Sequence, residues 1–414
     1  MLTTTSDSVK SIKLAVVILL ITNRGVLGDI GFIAFYLICV LFILRDGLYF
    51  PVLKYIGLLI IPVVISIFTG LLRRHEYYDI FKDVYYFLSP IFTTYVGCII
   101  AHRTKLNVLK QAFLIVGIFV AVIFILQSVT ESGVTAFLDP RTSRVEESLY
   151  LNSAAFLSLG VLMWNVVIEK NLKHVKWNLF LLMLNIFTVY MSGSRTYYVA
   201  ALAFVLIISF PYIKRHILKF AMFIGIIIIG LTALIMTNPD NNTVTTILHS
   251  SDEITVGDYK TASERNNNYR GYEAFRALDQ FNNYPTRYKI FGGGFGEKID
   301  MVISPLGPRY IPIIHNGYPY ILIKNGFLGM ACFILFGYGL ICRMHKMSNY
   351  GSNDLRMLCF MAIGGIVVSF IVNASVWGLF NDAYNILLML GGMYLYYLNN
   401  KKYVFKKRNS VYRV

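Results

Sequence analysis

Residues 108–128 read VLKQAFLIVGIFVAVIFILQS and contain one charged side chain, Lys110. A helix needs roughly 20 mostly apolar residues to cross the ~30 Å hydrocarbon core of a bilayer, because each residue adds about 1.5 Å. This stretch meets that requirement. The sequence therefore predicts a membrane-spanning helix here.

Apolar runs of this kind recur along the 414-residue chain, which is 56% hydrophobic and 14% charged, with a mean hydropathy of +0.60. An ordinary soluble domain carries about 25% charged residues. The runs lie near 13–22, 30–44, 51–72, 84–101, 108–128, 149–168, 177–192, 196–213, 217–236, 314–342, 355–373 and 383–398. Because a helix satisfies its own backbone hydrogen bonds in lipid, these runs predict an all-α fold. The expected architecture is a polytopic membrane bundle of about twelve transmembrane helices, forming a single integral membrane domain over 1–414.

The basic residues predict the orientation of the chain. The formal net charge is +16, but Lys and Arg form short clusters between apolar runs, which is typical of membrane topology and not of nucleic-acid binding. One alternating set of connections holds most of these residues: Arg45 and Lys54; His102, Arg103, Lys105 and Lys110; Lys170, Lys173 and Lys176; Lys214, Arg215 and Lys219; Arg343, Lys346 and Arg356; and the tail 401–413. The opposite set is mixed or neutral except at Arg73 and Arg74. The positive-inside rule therefore predicts that both termini are cytoplasmic.

One long polar connection, 238–313, interrupts this pattern between runs nine and ten, on the outer face. Its middle, 262–283, spaces Tyr272, Phe275, Leu278 and Phe281 three residues apart, which predicts an amphipathic helix lying against the bundle. A second, smaller outer loop spans 130–147. At the N-terminus, no small-residue cleavage site follows the first run, so we interpret that run as a retained span.

The five cysteines lie in or at the edges of apolar runs: Cys39, Cys98, Cys332, Cys342 and Cys359. This placement argues against a disulfide framework. The sequence has no CxxC motif and no His/Cys spacing typical of a metal site. We therefore expect neither a metal nor a cofactor.

A first candidate site is Ser192-Gly193-Ser194-Arg195-Thr196, a hinge between two predicted spans at the outer membrane edge. An ionisable group at membrane depth favours a functional interpretation, because a charge facing lipid is costly. The alternative is that Arg195 extends to lipid phosphates.

A second candidate is Tyr269-Arg270-Gly271-Tyr272-Glu273 in the loop helix. Arg270 and Glu273 are three residues apart, and such a pair on a solvated helix face contributes only a few tenths of a kcal/mol. Spacing alone leaves Arg265 and Arg276 equally available for binding.

The third candidate combines Phe291-Gly292-Gly293-Gly294-Phe295-Gly296 with His315-Asn316-Gly317-Tyr318. The glycines do not follow the dinucleotide-binding spacing, and we expect them to let the loop turn tightly toward the membrane. His315 opens the tenth span, where a neutral imidazole can act as a base. The alternative is a histidine that caps the helix or contacts headgroups.

These motifs occur in a recognisable order: SGSRT at 192–196, YRGYEA at 269–274, GGGFG at 292–296 and HNGYPYILIKNGFLG at 315–329. Their order and placement resemble the O-antigen ligase/polymerase superfamily, and most closely the O-antigen polymerases (Wzy). The resemblance implies a glycosyltransferase-C-like bundle in the bacterial inner membrane, with its cavity open to the periplasm. It also implies that the loop 238–313 is periplasmic.

The resemblance further implies roles for individual residues. Arginines of the hinge and loop hold the pyrophosphate of an undecaprenyl-diphosphate-linked oligosaccharide, which corresponds here to Arg195 and Arg270, with Arg265 as a rival. His315 activates the acceptor hydroxyl without a metal, and the adjacent Asn316 and Tyr318 contribute to substrate binding. Lys324 departs from the acidic residue that many relatives carry at that point of the helix.

The sequence therefore predicts a polymerase of lipid-linked O-antigen or capsule repeat units. The expected partners are the lipid-linked oligosaccharide, membrane lipid, a chain-length regulator and a flippase, but not nucleic acid. One alternative is a ligase that transfers glycan to lipid A core. Another is a flippase or transporter, for which the sequence lacks the internal repeat that transporters favour.

Overall fold

A computed structural model describes residues 5–22, 28–47, 49–133, 149–169, 175–192, 194–218, 255–302, 308–348, 351–376, 380 and 382–400. The predicted ninth run at 217–236, the smaller outer loop at 130–147 and the basic tail at 401–413 lie wholly or almost wholly outside these residues. The described chain forms two compact units, one over 1–28 and 104–250, the other over 29–103 and 251–414.

The first unit consists of helices, each of which contacts the next helix of the unit along the chain. They are α1 (Thr5–Thr22), α5 (Leu106–Ser132), α6 (Leu149–Met163), a π-helical turn (Trp164–Glu169), α7 (Val175–Met191) and α8 (Arg195–Ile213). Small residues allow close packing between them. A Cβ atom added to Gly117 of α5 would lie 1.7 Å from Ser158 Oγ of α6. Membrane helices use such small side chains to bring their backbones together.

The second unit contains the remaining helices and a two-stranded sheet. The long helices are α2 (Gly28–Asp46), α3 (Phe50–Leu72), α4 (Tyr77–Arg103), α12 (Gly317–Met347) and α13 (Asn353–Val376). The shorter elements are α9 (Ala262–Asn267), α10 (Tyr269–Asn282), α11 (Thr286–Phe291), β1 (Ile299–Asp300), β2 (Tyr310–Ile311), α14 (Asp382–Asn385) and α15 (Leu388–Asn399).

Within the described residues, six helices are long and apolar enough to cross a membrane: Val52–Leu72, Tyr77–Arg103, Leu106–Thr130, Arg195–Ile213, Gly317–Met347 and Asn353–Val376. Two shorter apolar helices cover Ala154–Glu169 and Val175–Met191. Every predicted apolar run except the ninth coincides with a described helix. The prediction of an all-α polytopic membrane protein is confirmed, while the total of twelve spans stays a prediction.

Helices α4 and α15 of the second unit approach each other closely at two glycines. A Cβ atom added to Gly97 would lie 1.9 Å from the carbonyl oxygen of Met389, and one added to Gly392 would lie 1.8 Å from that of Thr94. Cys98 Sγ donates a hydrogen bond to the Gly392 carbonyl at 3.0 Å. The two helices therefore touch through backbone atoms, which no larger side chain at these glycines would permit.

We expect Gly392→Ala to destabilise the protein, because its methyl group would overlap the Thr94 carbonyl. Overpacking typically costs about 1–3 kcal/mol. Gly391→Ala is a matched control on the same helix, since its new methyl group would lie 3.5 Å from Met344 Cε, an ordinary contact. Thermal unfolding of detergent-solubilised variants measures the difference. Equal melting temperatures for the two variants would contradict the packing described for α4 and α15.

Candidate active site

His315 lies immediately before the cap of α12. Asn316 is the N-cap residue, and its side-chain oxygen accepts a hydrogen bond from the Tyr318 backbone N–H at 3.2 Å. The Tyr318 hydroxyl donates to the Phe370 carbonyl of α13 at 2.7 Å. Capping is thus performed by Asn316, so the interpretation of His315 as a helix cap is wrong. The His315 side chain is 44% exposed.

A buried carboxylate holds His315 from the loop side. Glu273 Oε2 lies 2.9 Å from the His315 backbone nitrogen and 2.8 Å from ring Nδ1, and the Glu273 side chain is only 3% exposed. The Tyr269 ring meets the imidazole edge-on, with centroids 6.3 Å apart. Glu273 is therefore not part of a solvated pair with Arg270, as spacing suggested. The motifs YRGYEA and HNGY meet through this contact.

The three candidate arginines of the loop, Arg265, Arg270 and Arg276, have different surroundings. Arg276 forms an ion pair with Asp279 at 2.9 Å. The Arg265 guanidinium lies over the Tyr272 ring, with its carbon 5.2 Å from the ring centroid. Arg270 occupies the first turn of α10, one turn before Glu273, and is partly exposed. Arg276 therefore already has a carboxylate partner.

Helix α10 presents Glu273 to His315 because its apolar face packs on α12. Tyr272 and Phe281 are 2% and 3% exposed, while Phe275 and Leu278 are partly exposed. The Phe281 ring packs edge-on against Phe327 of α12, with centroids 5.2 Å apart. The predicted amphipathic helix is confirmed, and this packing fixes the position of the carboxylate.

A short hairpin leads the chain back toward His315. Strands β1 and β2 pair antiparallel, with Ile299 opposite Ile311. Arg309 binds Asp300 through two hydrogen bonds of 2.8 Å each. The hydrogen bond from Arg309 outweighs burial and lowers the pKa of Asp300 to about 2. Two-residue strands of this kind are too short to give an alternating pattern, so the sequence did not predict them.

The glycine-rich motif docks onto a break in α12. Gly326 interrupts the helix with φ 65° and ψ −165°. The backbone N–H groups of Gly293 and Gly294 donate to the carbonyls of Ile323 and Lys324, at 2.7 and 3.1 Å. The expectation that these glycines let the loop turn tightly is confirmed, with φ of 82° at Gly292 and 87° at Gly294. The loop supplies hydrogen bonds to carbonyls at the break in the helix.

Lys324 is fully buried beside this break. Its ammonium group donates to Asp83 Oδ2 of α4 at 2.6 Å, and both side chains are at most 1% exposed. The same carboxylate accepts from the Tyr320 hydroxyl at 2.5 Å and from the Gly296 backbone N–H at 2.7 Å. Buried charges are tolerated when paired and hydrogen-bonded. Lys324 therefore links α4, α12 and the glycine-rich loop.

Arg73, one of the two basic residues that broke the charge asymmetry, has a carboxylate partner in the loop. Its guanidinium contacts Glu297 and donates to the Gly293 carbonyl at 2.9 Å. His75 Nε2 lies 3.0 Å from the same Glu297 carboxylate. Burial alone would raise the pKa of Glu297, but the His75 hydrogen bond and the Arg73 charge hold it below its ordinary value. Arg73 thus anchors the loop to the end of α3.

Arg195 belongs to the first unit. Helix α7 ends at Met191, Ser194 is the N-cap residue of α8, and Arg195 is the first residue of α8. The end of α7 and the start of α8 therefore fall at the predicted hinge motif, and Arg195 is partly exposed.

Sequence reasoning missed the partners of two buried charges, Glu273 and Lys324. Glu273 lies between Tyr272 and Ala274, and all three are buried. A carboxylate inside the apolar face of α10 was the signal for a buried partner. Lys324 in a long apolar run carried the same signal, since charges at membrane depth are usually paired. Its partner Asp83 stands just before the predicted start of the fourth run and was left out of it.

None of the five cysteines forms a disulfide in the structure, and only Cys342 is exposed. Across the part of the chain that the structure describes, no group of three or more His, Cys, Asp or Glu residues is arranged to hold a metal ion.

Comparison with protein families identifies a match. Residues 179–334 match the family model described as O-antigen ligase. None of the curated proteins matches the chain. The matched segment contains all four motifs, from SGSRT at 192 to HNGY at 315. The resemblance of this chain to the O-antigen ligase/polymerase superfamily is thereby confirmed over residues 179–334.

Proposed function

We propose that this protein is a glycosyltransferase that polymerises undecaprenyl-diphosphate-linked O-antigen or capsule repeat units. The observation that carries the proposal is the convergence of two distant motifs: the helix 269–282 delivers Glu273 to His315 at 2.8 Å. The histidine selected from the sequence is held in place while 44% of its side chain stays exposed. The family match supports a glycosyl-transferring membrane enzyme.

The proposed donor already carries its leaving group. The acceptor hydroxyl oxygen attacks the anomeric carbon of the donor, and the bond from that carbon to the diphosphate oxygen breaks. The diphosphate leaves with the electron pair, and the hydroxyl proton passes to Nε2 of His315. The imidazolium later loses this proton to solvent, which restores the base. General-base catalysis of this kind typically contributes about 10²–10⁴-fold.

The leaving diphosphate needs positive charge, and arginine suits it because the planar guanidinium binds phosphate oxygens through two parallel hydrogen bonds. We assign this role to Arg270 at the start of α10, the helix whose Glu273 contacts His315. Arg265 is the alternative in the same unit. Arg195 is assigned by the superfamily resemblance. With arginines supplying the charge, the proposed reaction needs no divalent metal.

Asn316 and Tyr318 are proposed as further substrate contacts. Capping uses the side-chain oxygen of Asn316, and its amide group carries two donors in addition. The Tyr318 hydroxyl donates its proton to Phe370, and its oxygen keeps lone pairs that can accept from a sugar hydroxyl. Both residues therefore retain hydrogen-bonding capacity beside the proposed base.

The setting we propose is the periplasmic face of the bacterial inner membrane. The charge asymmetry of the connections supports cytoplasmic termini and a periplasmic 238–313 loop. The exception to this asymmetry is the pair Arg73 and Arg74, and the ion pair with Glu297 neutralises the charge of Arg73. A flippase that delivers repeat units and a chain-length regulator are the proposed protein partners.

The alternative within the same chemistry is a ligase that moves finished glycan onto lipid A core. The matched family is itself described as O-antigen ligase, which favours keeping this candidate. The two reactions share the donor and the base and differ in the acceptor. A flippase or transporter would need no base beside its substrate.

We expect the purified full-length protein to convert lipid-linked repeat units alone into a ladder of longer oligomers. The ladder should form unchanged in the presence of EDTA, because arginines replace a metal at the diphosphate. Gel analysis of the lipid-linked products measures it. Product formation only after lipid A core is added would establish the ligase, and a strict need for divalent metal would contradict the proposed chemistry.

We expect Arg195→Lys to lose most polymerisation activity although the positive charge is kept, since an ammonium group cannot reproduce two parallel hydrogen bonds. Polymer length in cells expressing the variant is the measurement. Arg215→Lys, at the opposite end of α8, is the matched control and should remain active. Normal polymer with Arg195→Lys would show that Arg195 only extends to lipid headgroups.

We expect His315→Ala to reduce kcat by roughly 10²–10⁴-fold, the contribution of a general base, without reducing membrane abundance. His345→Ala is the control, because His345 is an exposed residue in the last turn of the same helix. Turnover of purified lipid-linked units measures the effect. A His315→Ala protein that polymerises at the normal rate would refute the assignment of the base.

A further inference from the structure

The contact between Glu273 and His315 contains more than one hydrogen bond. A single carboxylate oxygen, Oε2, lies 2.9 Å from the His315 backbone nitrogen and 2.8 Å from ring Nδ1. The backbone N–H can only donate, so this oxygen already acts as an acceptor. An ionised carboxylate has no proton to give, so ring Nδ1 must also donate a hydrogen bond to this oxygen.

This geometry selects one form of the imidazole. A neutral histidine carries its proton on either Nδ1 or Nε2, and the hydrogen bond at one nitrogen decides the state of the other. A donor at Nδ1 leaves Nε2 with a free lone pair. The Nδ1 edge faces a carboxylate that is 3% exposed, whereas 44% of the His315 side chain is exposed, so the exposed edge is the one that carries Nε2.

The support for Glu273 is rigid. It sits on the buried face of α10 between Tyr272 and Ala274, which are 2% and 0% exposed. The Tyr272 hydroxyl donates to the Met301 carbonyl at 2.7 Å and so ties α10 to the end of β1. The carboxylate therefore reaches His315 from a fixed backbone.

The other titratable groups near the ring come from two helices. From α10, Tyr269 packs edge-on against the imidazole at 6.3 Å, and Arg270 follows it in the same turn. From α12, Tyr318 is directed to the Phe370 carbonyl. Glu273 is the carboxylate that contacts the ring.

We propose that Glu273 is a positioning residue for His315: it keeps the imidazole proton on Nδ1, so that Nε2 presents its lone pair to the acceptor hydroxyl, and its negative charge stabilises the imidazolium that forms. This inference rests on the proposed role of His315 as the base. Glu273 itself does not touch the sugar or take the transferred proton.

The test reads the ring directly. Protein labelled with ¹⁵N-histidine and solubilised in detergent gives separate nitrogen signals for the seven histidines, and comparison with His315→Gln assigns those of His315. We expect a protonated Nδ1 and an unprotonated Nε2 in the native protein. In Glu273→Ala, which removes the acceptor of both His315 N–H groups, the proton should move toward Nε2.

The same variants are then compared in turnover. Glu273→Ala should lower kcat by roughly 10²–10⁴-fold, the range of a general base, with a much smaller change in KM. Its residual activity should persist to lower pH, because loss of the neighbouring carboxylate disfavours the imidazolium. Glu273→Asp, which keeps the charge, should recover part of kcat.

A matched control separates positioning from folding. Glu297 is another buried glutamate beside a histidine, with His75 Nε2 at 3.0 Å. Glu297→Ala should lower the melting temperature while leaving the His315 proton on Nδ1 and the pH profile unchanged. If Glu273→Ala does not fold, the native spectrum and Glu273→Asp still decide the question.

Two outcomes would overturn the proposal: a native His315 with its proton on Nε2, or a Glu273→Ala protein that loses activity with the Nδ1 proton unchanged. The second outcome would make Glu273 purely structural. Neither outcome touches the proposed function, which stands or falls with the turnover of His315→Ala. The ring measurement needs no substrate, so the two failures are distinguishable.

Discussion

The second unit depends on a constraint that lipid imposes on any interrupted helix. A backbone carbonyl at membrane depth has no water to bind, and leaving it without a donor costs several kcal/mol. The break at Gly326 disturbs the hydrogen bonding of α12, and the N–H groups of Gly293 and Gly294 bind the carbonyls of Ile323 and Lys324. The glycine-rich loop thus supplies donors that complete the backbone hydrogen bonding of α12 at its break. Around it, Lys324 and Asp83 form a pair in which removal of one partner typically costs about 3–5 kcal/mol.

The docked glycine-rich loop fixes the geometry of the candidate site. Beside the docked glycine-rich loop, α10 packs on α12 through Phe281 and Phe327. The Tyr272 hydroxyl of α10 donates a hydrogen bond to the carbonyl of Met301, the residue that follows β1. Glu273 and His315 are consequently brought together by the two sides of one loop. A base held in this way keeps its orientation without depending on the substrate, which is the kind of preorganisation that catalysis rewards.

The sequence was sufficient for the elements but not for the contacts between them. Apolar runs long enough to span a bilayer predicted the helices, and the threefold spacing around Tyr272 predicted α10, because both signals are local. The pairs Glu273–His315 and Lys324–Asp83 join residues far apart in the chain. A single sequence indicates that a buried charge needs a partner but does not identify that partner. The break at Gly326 was missed because an isolated glycine in an apolar run is compatible with an unbroken helix.

The docking of the loop also has a consequence for biogenesis. Gly293 and Gly294 precede Ile323 and Lys324 in the chain, so the ribosome delivers the donors before the acceptors they will serve. When α12 enters the membrane, the segment that completes its hydrogen bonding has already been synthesised and, in the proposed orientation, exported. The broken helix therefore need not wait in lipid for a later part of the chain. The hydrogen bonding at the break can be completed only when this loop lies on the side of the membrane from which it reaches Ile323 and Lys324.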